Sequence, residues 1–218
     1  MSAAELGRFA WVIFDLDGVL VDTSPCHSRA YADLWAEIGL EGPAYADIVG
    51  QKTVEVVAQV SADLTPPEAQ LRLWTAFKQE RARHYIANED IVFADTLPAL
   101  RALHAAGMTL ALGTGASRRT TEAVLTRLDL TDFFAVVATA EDAVRGKPAP
   151  DVYDFLLRRL NADPDRALVV EDSSAGLAAA LAAGAHAASV RTGHDMDHQK
   201  FIGRYADLRS LFATLDFK

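Results

Sequence analysis

Two carboxylates near the start of the chain stand where an apolar strand should end. Residues 11–14 are apolar and short enough for a buried strand, and Asp15, Asp17 and Gly18 follow. Once the chain leaves the alternation of a strand, two carboxylates two residues apart are able to take different tasks. An apolar strand that ends in acids is typical of the carboxyl edge of a parallel sheet, where open α/β folds bind ligands. A polar turn explains the pair better when it is taken alone, so the prediction depends on the rest of the chain.

Three further motifs favour a functional site over a turn. Gly113-Thr114-Gly115 follows an apolar run, Lys147 lies in the Gly-Lys-Pro-Ala-Pro segment 146–150, and Glu-Asp-Ser-Ser-Ala-Gly at 171–176 follows another apolar run. A parallel sheet brings such loops together along one edge. Each residue alone has an ordinary explanation as a surface lysine, a turn hydroxyl or a helix cap. Their joint occurrence in this order favours chemistry.

The side chains of these motifs suit phosphoryl transfer. Several acids at one edge repel each other and need a cation, and oxygen-only ligands suit Mg²⁺ better than zinc. Lys147, the hydroxyl of Thr114 and backbone N–H groups around Gly115 can hold phosphate oxygens. One carboxylate can attack phosphorus, and a second can protonate the leaving oxygen and then deprotonate water.

Strands and helices alternate along most of the chain. The predicted strands cover residues 11–14, 109–112, 134–138, 167–170 and 186–190. The helices that separate the later strands are predicted at residues 96–106, 117–128, 150–160 and 174–183. Gly107 and Gly184 stand just past two of these helices, where glycine is a common stop signal. This alternation predicts βα units and a doubly wound parallel sheet.

The segment 24–93 breaks this alternation and predicts an inserted helical module. Its helical candidates are residues 27–38, 54–62 and 67–88. The third mixes large apolar side chains with many charges, as an amphipathic helix does. We therefore expect an α/β core made of residues 1–23 and 94–218, with a helical cap at 24–93.

Composition restricts the class of protein. The chain has 218 residues, of which 50% are hydrophobic, and a formal net charge of −9, which supports one sizeable core and a smaller module. The sequence has no block of basic residues that would indicate nucleic-acid binding. No apolar run reaches membrane-spanning length. Cys26, the single cysteine, fits a reducing compartment. Because no secretory signal is evident, we expect a cytoplasmic monomer or small homo-oligomer that binds neither nucleic acid nor membrane.

Three of these runs resemble a known superfamily. FDLDGVLVDT at 14–23, GKPAPD at 146–151 and VEDS at 170–173 resemble the haloacid dehalogenase-like hydrolases, and their order and spacing are similar to the phosphatase and phosphosugar-mutase branch. The resemblance covers nearly the whole chain. It implies a Rossmann-like core with an inserted helical cap, and a Mg²⁺-dependent reaction through an aspartyl-phosphate.

The resemblance also implies a role for each core residue. Asp15 would be the nucleophile and a metal ligand, and Asp17 would be the general acid/base with its backbone carbonyl on Mg²⁺. The remaining roles are phosphoryl binding by Thr114, positioning of nucleophile and phosphate by Lys147, and Mg²⁺ ligation by Asp172 and, directly or through water, by Glu171. The predicted substrate-binding residues are Gly115, Ala116, His27, Gln51, Lys52 and Thr53.

Differences within the superfamily narrow the reaction. The dehalogenase branch lacks the second acid of the first motif, so Asp17 argues against that branch. A phosphonate-cleaving branch typically has alanine at that position, so Asp17 argues against it as well. That branch uses a lysine of the cap, and Lys52 is a lysine in the predicted cap of this chain. His27 matches a position where mutases use histidine to control the acid/base, but it also suits simple packing. Mutases place an arginine near the cap loop 49–53, where this chain offers Gln51, Lys52 and Thr53.

These differences favour a phosphomonoesterase that acts on a small phosphorylated metabolite, a sugar or organic acid phosphate. The alternatives are a β-phosphoglucomutase-like phosphosugar mutase and a catalytically silent binding or regulatory protein of the same fold. His194 and His198 flank two aspartates in the segment 193–198, which we interpret as a polar loop in preference to a second metal site.

Overall fold

Six parallel strands form a single sheet in the computed structural model, which describes residues 1–49 and 51–214. The strands are β1 (Trp11–Phe14), β2 (Thr109–Gly113), β3 (Val136–Ala138), β4 (Ala167–Glu171), β5 (His186–Val190) and β6 (Phe201–Tyr205). Their order is β3-β2-β1-β4-β5-β6, so β1 lies between β2 and β4. The predicted doubly wound α/β core is confirmed.

The central strands are mostly apolar because helices cover both faces of the sheet. Every residue of β4 and β5 is buried, and β1 exposes only part of Trp11. The helices of the chain are α1 (Ala3–Leu6), α2 (Ser24–Ile38), α3 (Tyr45–Ile48), α4 (Thr53–Val60), α5 (Glu68–Asn88), α6 (Thr96–Ala105), α7 (Arg118–Arg127), α8 (Asp151–Leu160), α9 (Ser174–Ala182) and α10 (Leu208–Leu211). Helices α8 and α9 pack against β2–β5, and α6 and α10 contact one another as well as the sheet.

The strand β6 is absent from the sequence-based prediction. It carries Gly203 and Arg204, its residues are only partly buried or exposed, and its pairing with β5 shifts register between Ala187 and Ala188. A strand at the edge of a sheet needs no continuous apolar run, so its sequence gives a weak signal.

A second compact unit, Thr23–Ile91, contains α2 to α5, and its described residues form no strand. Buried side chains of α2, α3 and α4 form its apolar cluster, and these are Tyr31, Leu34, Trp35, Ile48, Val56 and Val57. The remainder, residues 1–22 and 92–218, forms the α/β unit. These bounds compare with 24–93 for the predicted cap, and its action as a cap stays a prediction. Pro25 lies in the first turn of α2.

No helix among the described residues combines the length and apolar character needed to cross a membrane. Cytoplasmic location and oligomeric state stay predictions.

Candidate active site

The predicted motifs of the α/β unit meet at the carboxyl ends of neighbouring strands. Asp15 follows β1, and its backbone N–H donates to the carbonyl of Val170 in β4 at 3.0 Å. Thr114 follows β2, and its N–H donates to the carbonyl of Ala138 in β3 at 3.0 Å. Glu171 is the last residue of β4. The order of the strands therefore brings three loops that are far apart in sequence to one edge.

Lys147 joins two of these loops. Its ammonium donates to Asp15 Oδ1 at 2.5 Å, to Glu171 Oε1 at 2.6 Å and to the carbonyl of Gly113 at 3.1 Å. Only 13% of its side chain is exposed. A buried ammonium between two carboxylates forms strong charge-assisted hydrogen bonds, so Lys147 holds Asp15 in a fixed orientation.

Both carboxylate oxygens of Glu171 accept hydrogen bonds. Oε1 accepts from Lys147 and from the hydroxyl of Tyr153 at 2.7 Å. Oε2 accepts from the N–H of Asp172 at 3.1 Å and from the N–H and hydroxyl of Ser173 at 3.3 and 3.0 Å. A Cβ added at Gly176 would lie 1.8 Å from Oε1, so the carboxylate needs glycine at that position.

Tyr153 is a functional contact that the sequence analysis missed. Its side chain is fully buried, and the ammonium of Lys147 lies 5.0 Å from the centre of its ring. A tyrosine on the apolar face of a helix signals that its hydroxyl needs a partner. Its sequence position does not identify Glu171 as that partner.

Three carboxylates are close enough to share a cation. One oxygen from each of Asp15, Glu171 and Asp172 lies within 4.8 Å of the other two. Hard oxygen donors and few protein ligands fit Mg²⁺, which keeps several waters in protein sites. The carboxylate of Asp17 is not in this group, and for Asp17 the predicted ligand was its backbone carbonyl. The residues present thus fit a magnesium ion.

The acid–base properties of the cluster reflect burial and crowded charge. Burial, together with the carboxylates of Glu171 and Asp17, raises the pKa of Asp15 well above its ordinary value against the opposing effect of Lys147. Burial and the neighbouring Glu171 raise the pKa of Asp172 to about 7. Burial is the largest effect on Glu171 and disfavours its charged form, but the ammonium of Lys147 and the hydrogen bonds from Tyr153 and Ser173 together outweigh it and lower the pKa.

Burial is also the largest effect on Lys147 and disfavours its charged form, yet Asp15, Tyr153 and Glu171 together outweigh it and raise the pKa of the ammonium well above its ordinary value. Because Asp15 and Asp172 resist ionisation in this arrangement, a divalent cation is the partner that would stabilise their charged forms.

Asp17 lies in a tight turn just after β1. The N–H of Gly18 donates to the carbonyl of Val21 at 2.7 Å, and Gly18 adopts a φ of 78°. A Cβ at Gly18 would meet Asp172 Oδ2 at 2.0 Å. The glycine therefore permits both the left-handed turn and the close approach of the Asp172 carboxylate.

Thr114 is buried, and its hydroxyl accepts from the N–H of Ala116 at 3.0 Å. The hydrogen of this hydroxyl can then be donated to a phosphate oxygen. Gly115 is exposed and precedes Ser117, whose side chain caps α7. The predicted phosphate-binding segment thus lies at a strand end, beside Asp15.

The other predicted substrate-binding residues belong to the helical unit, and their contact with substrate stays a prediction. Gln51 donates from Nε2 to the carbonyl of Asp47 at 3.2 Å. The Lys52 side chain is 79% exposed, and its ammonium lies 3.5 Å from Glu55 Oε1. Thr53 begins α4. Gly50, which belongs to the predicted cap loop 49–53, lies outside the described residues.

His27, which is partly buried, pairs with the buried Lys78 within the helical unit. The Lys78 ammonium lies 2.9 Å from His27 Nδ1 and 4.3 Å from the centre of the Tyr31 ring, and Lys78 is only 4% exposed. Burial, with a smaller effect of Lys78, lowers the pKa of His27 to about 4. Burial lowers the pKa of Lys78 to about 8. The sequence analysis missed Lys78, because it is one of many charged residues on α5.

The polar loop with His194 and His198 is exposed, and His198 Nδ1 accepts from the N–H of Lys200 at 3.1 Å. Within the described residues, the cluster at Asp15 is the one group with spacing suited to a metal.

Comparison with known proteins gives concordant matches. The family model described as haloacid dehalogenase-like hydrolase matches residues 9–184. The chain is 30% identical to the fructose-1-phosphate phosphatase YqaB of Escherichia coli K12, over 84% of this chain and 97% of that protein. It is 28% identical to hexitol phosphatase B of the same organism, over 91% of both chains.

A solved structure of a CbbY variant from Rhodobacter sphaeroides, in complex with xylulose-(1,5)bisphosphate, has a TM-score of 0.78 and 25% identity. The match covers 95% of this chain and 99% of that one.

Proposed function

The chain belongs to the haloacid dehalogenase-like hydrolases, and we propose that it is a Mg²⁺-dependent phosphomonoesterase that acts through an aspartyl-phosphate. The observation that carries this proposal is the ammonium of Lys147, which joins Asp15 to Glu171, two of the three clustered carboxylates. A buried nucleophile, a cation that orients it and a set of oxygen ligands are the parts that phosphoryl transfer requires.

Asp15 is the proposed nucleophile. Lys147 holds Oδ1, so the carboxylate has a fixed direction from which to attack phosphorus. The bond from phosphorus to the leaving oxygen breaks as the bond to Asp15 forms, and the phosphoryl group passes to the carboxylate. The hydroxyl of Thr114, which accepts from the N–H of Ala116 and keeps its own hydrogen for donation, and the N–H of Gly115 are the proposed donors to phosphoryl oxygens.

Asp17 is the proposed general acid/base. Its carboxyl gives a proton to the leaving alkoxide, and the resulting carboxylate then takes a proton from the water that attacks the aspartyl-phosphate. This second attack releases inorganic phosphate and regenerates Asp15.

The proposed ligands of the magnesium ion are Asp15, the backbone carbonyl of Asp17, Asp172, and Glu171 directly or through water. When bound, the ion would neutralise charge on the carboxylates and on the phosphoryl oxygens. Lys147 and the donors on Glu171 keep these ligands in place.

We propose phosphorylated sugars or related polyols as the substrate class, with an organic acid phosphate as the other candidate. The support is the names of two similar proteins, a fructose-1-phosphate phosphatase and a hexitol phosphatase. Residues that select among such substrates are proposed to lie in the helical unit, at His27, Gln51, Lys52 and Thr53.

A substrate screen tests the proposal. Purified protein is incubated with Mg²⁺ and a panel of sugar, polyol and organic acid phosphates, and released phosphate is measured with and without chelator. Chelator-sensitive release from a sugar or polyol phosphate supports the proposal. Isomerisation of a hexose phosphate primed by a bisphosphate would instead indicate a mutase, and inactivity with the whole panel would indicate a binding protein.

A further inference from the structure

Arg191 contacts both segments through which the chain leaves and re-enters the α/β unit. Its Nε and Nη2 donate to the carbonyl of Val19, each at 3.2 Å. Nη2 also donates to Asp95 Oδ1 at 2.6 Å. The centre of the guanidinium lies 3.7 Å from the centre of the Phe93 ring. One side chain thus joins the segment after β1 to the segment before α6.

The backbone of Arg191 is unusual for a residue with a side chain. It follows β5 with a φ of 64°, in the left-handed region that non-glycine residues rarely occupy. Its N–H donates to the carbonyl of Tyr205 in β6 at 3.0 Å, which anchors this conformation to the sheet. Strained conformations of this kind persist where surrounding contacts impose them, often at functional sites.

The partner of Arg191 is anchored as well. Asp95 is buried, and its second oxygen accepts from the N–H of Leu208 at 2.7 Å. The guanidinium is therefore fixed at one end by the sheet and at the other by a carboxylate tied to α10. Only 15% of the Arg191 side chain and 11% of the Asp95 side chain are exposed, so solvent screens this ion pair little.

These contacts act on the turn that carries Asp17. Within the turn, the N–H groups of Leu20 and Val21 both donate to the carbonyl of Leu16, at 2.9 and 3.1 Å. On its outer side, Arg191 holds the carbonyl of Val19, and the hydroxyl of Thr96 holds the carbonyl of Leu20 at 2.7 Å. Removing Arg191 would take away both hydrogen bonds to the carbonyl of Val19 and leave the contacts on Leu20 in place.

We propose that Arg191 is a positioning residue that sets the carboxyl of Asp17 for proton transfer to the leaving group. The inference rests on the proposed function, because it needs Asp17 as the general acid. Arg191 does not itself touch substrate in this proposal. It acts through Val19, two residues after Asp17.

The test compares two substrates that share a phosphoryl group. The nitrophenolate of a nitrophenyl phosphate leaves without help from an acid, whereas the alkoxide of an alkyl phosphate such as a sugar phosphate needs the proton. Arg191→Gly is the main variant, since glycine adopts a φ of 64° without strain. The control is Asp129→Gly, an exposed residue at a φ of 54°. Arg191→Lys tests partial rescue by a simpler cation.

We expect Arg191→Gly to lower kcat/KM for the alkyl phosphate by about tenfold to a hundredfold, the scale of a small misplacement of a catalytic group. The nitrophenyl ester should lose less than about threefold, and Arg191→Lys should recover part of the loss. In an Asp17→Asn background, Arg191→Gly should cost little further with either substrate. The inference would be overturned if Arg191→Gly lowered kcat/KM equally for both substrates. It would also be overturned if the fold-losses of Arg191→Gly and Asp17→Asn multiplied in the double variant.

A second readout does not need turnover. Hydrogen exchange in peptides that cover residues 16–21 should be faster in Arg191→Gly and unchanged in Asp129→Gly, and unchanged exchange in both would overturn the inference. The failures are distinguishable. If Asp17→Asn lowers kcat/KM equally for both substrates, Asp17 is not the general acid. If Asp17→Asn mainly affects the alkyl phosphate but Arg191→Gly changes kcat/KM for neither substrate, only the role of Arg191 is rejected.

Discussion

At the scale of single residues, Asp15 is the proposed nucleophile, a role that an amide of the same size cannot fill. Asparagine matches its size but lacks the nucleophilic carboxylate. We expect Asp15→Asn to lower turnover by more than about 10⁴-fold without loss of folded protein. Phosphate release and circular dichroism measure the two properties, with mass spectrometry to exclude deamidation. Asp132→Asn, at an exposed position, is the matched control. Activity near the wild-type value would reject Asp15 as the nucleophile.

Gly176 tests the positioning of Glu171. An added methyl would overlap Oε1, which is 1.8 Å from the ideal Cβ position, so the carboxylate must move away from Lys147. We expect Gly176→Ala to cost about 1–3 kcal/mol of stability and to lower activity strongly. For a chain of this size, each kcal/mol corresponds to a melting shift of about 2–4 °C. Gly193→Ala is the control, because an added Cβ there meets no described atom within 4 Å. Similar behaviour of the two variants would contradict this prediction.

The residues that could be predicted from sequence are those with a fixed spacing to a strand end. Asp15, Glu171 and Asp172 each follow or end an apolar run, and the topology then brings them together. Tyr153 and Lys78 were missed for a different reason. Each acts on a partner on another element, and the burial that makes that contact matter exists only in the fold.

At the scale of elements, α2 and α5 share a part-buried histidine–lysine pair that should make stability depend on pH. The folded chain protonates His27 near pH 4 because burial disfavours its charge, whereas the unfolded chain does so near the ordinary pKa of 6.5. As the pH falls below 6.5, the unfolded state therefore binds a proton that the folded state does not, and the free energy of unfolding falls. Above 6.5 this contribution is constant.

We expect wild-type protein to lose about 1–2 kcal/mol more than His27→Asn between pH 7.5 and pH 5. Asparagine keeps an acceptor near Lys78 but does not titrate. Urea unfolding at the two pH values measures the difference. An equal loss in both proteins would mean that His27 takes up its proton normally in the folded state.

Element prediction succeeded where burial shapes the sequence. Both β4 and β5 are buried along their whole length, so most of their residues are apolar and the strands could be predicted from the sequence. The edge strand β6 and the four-residue helix α3 were missed, because neither is long or apolar enough to produce a periodic pattern.

At the scale of the whole molecule, the alternation of strands and helices predicts a parallel sheet but leaves the order of its strands open. The position of β1 between β2 and β4 places Asp15 between the loops of Thr114 and Glu171. Strand order is set by long-range pairing and by helix packing on both faces, which short windows of sequence do not record.

The proposed metal should also stabilise the whole fold. A ligand that binds only the folded state adds about 2.7 kcal/mol at a concentration one hundred times its dissociation constant. For a chain of this length, we therefore expect saturating Mg²⁺ to raise the melting temperature by roughly 5–11 °C over protein in chelator. Differential scanning fluorimetry measures the shift, with sodium chloride at matched ionic strength as the control for general screening.

Asp172→Asn separates metal binding from stability of the empty site. Burial and Glu171 already disfavour the charge on Asp172, so without metal the neutral amide should leave the melting temperature equal to or above that of wild type. With Mg²⁺, the variant should lose most of the thermal shift, because a site with few protein ligands has lost one carboxylate. An unchanged Mg²⁺ shift in Asp172→Asn would place the ion elsewhere, and a variant that is unstable even in chelator would show that Asp172 supports the fold through contacts other than the metal.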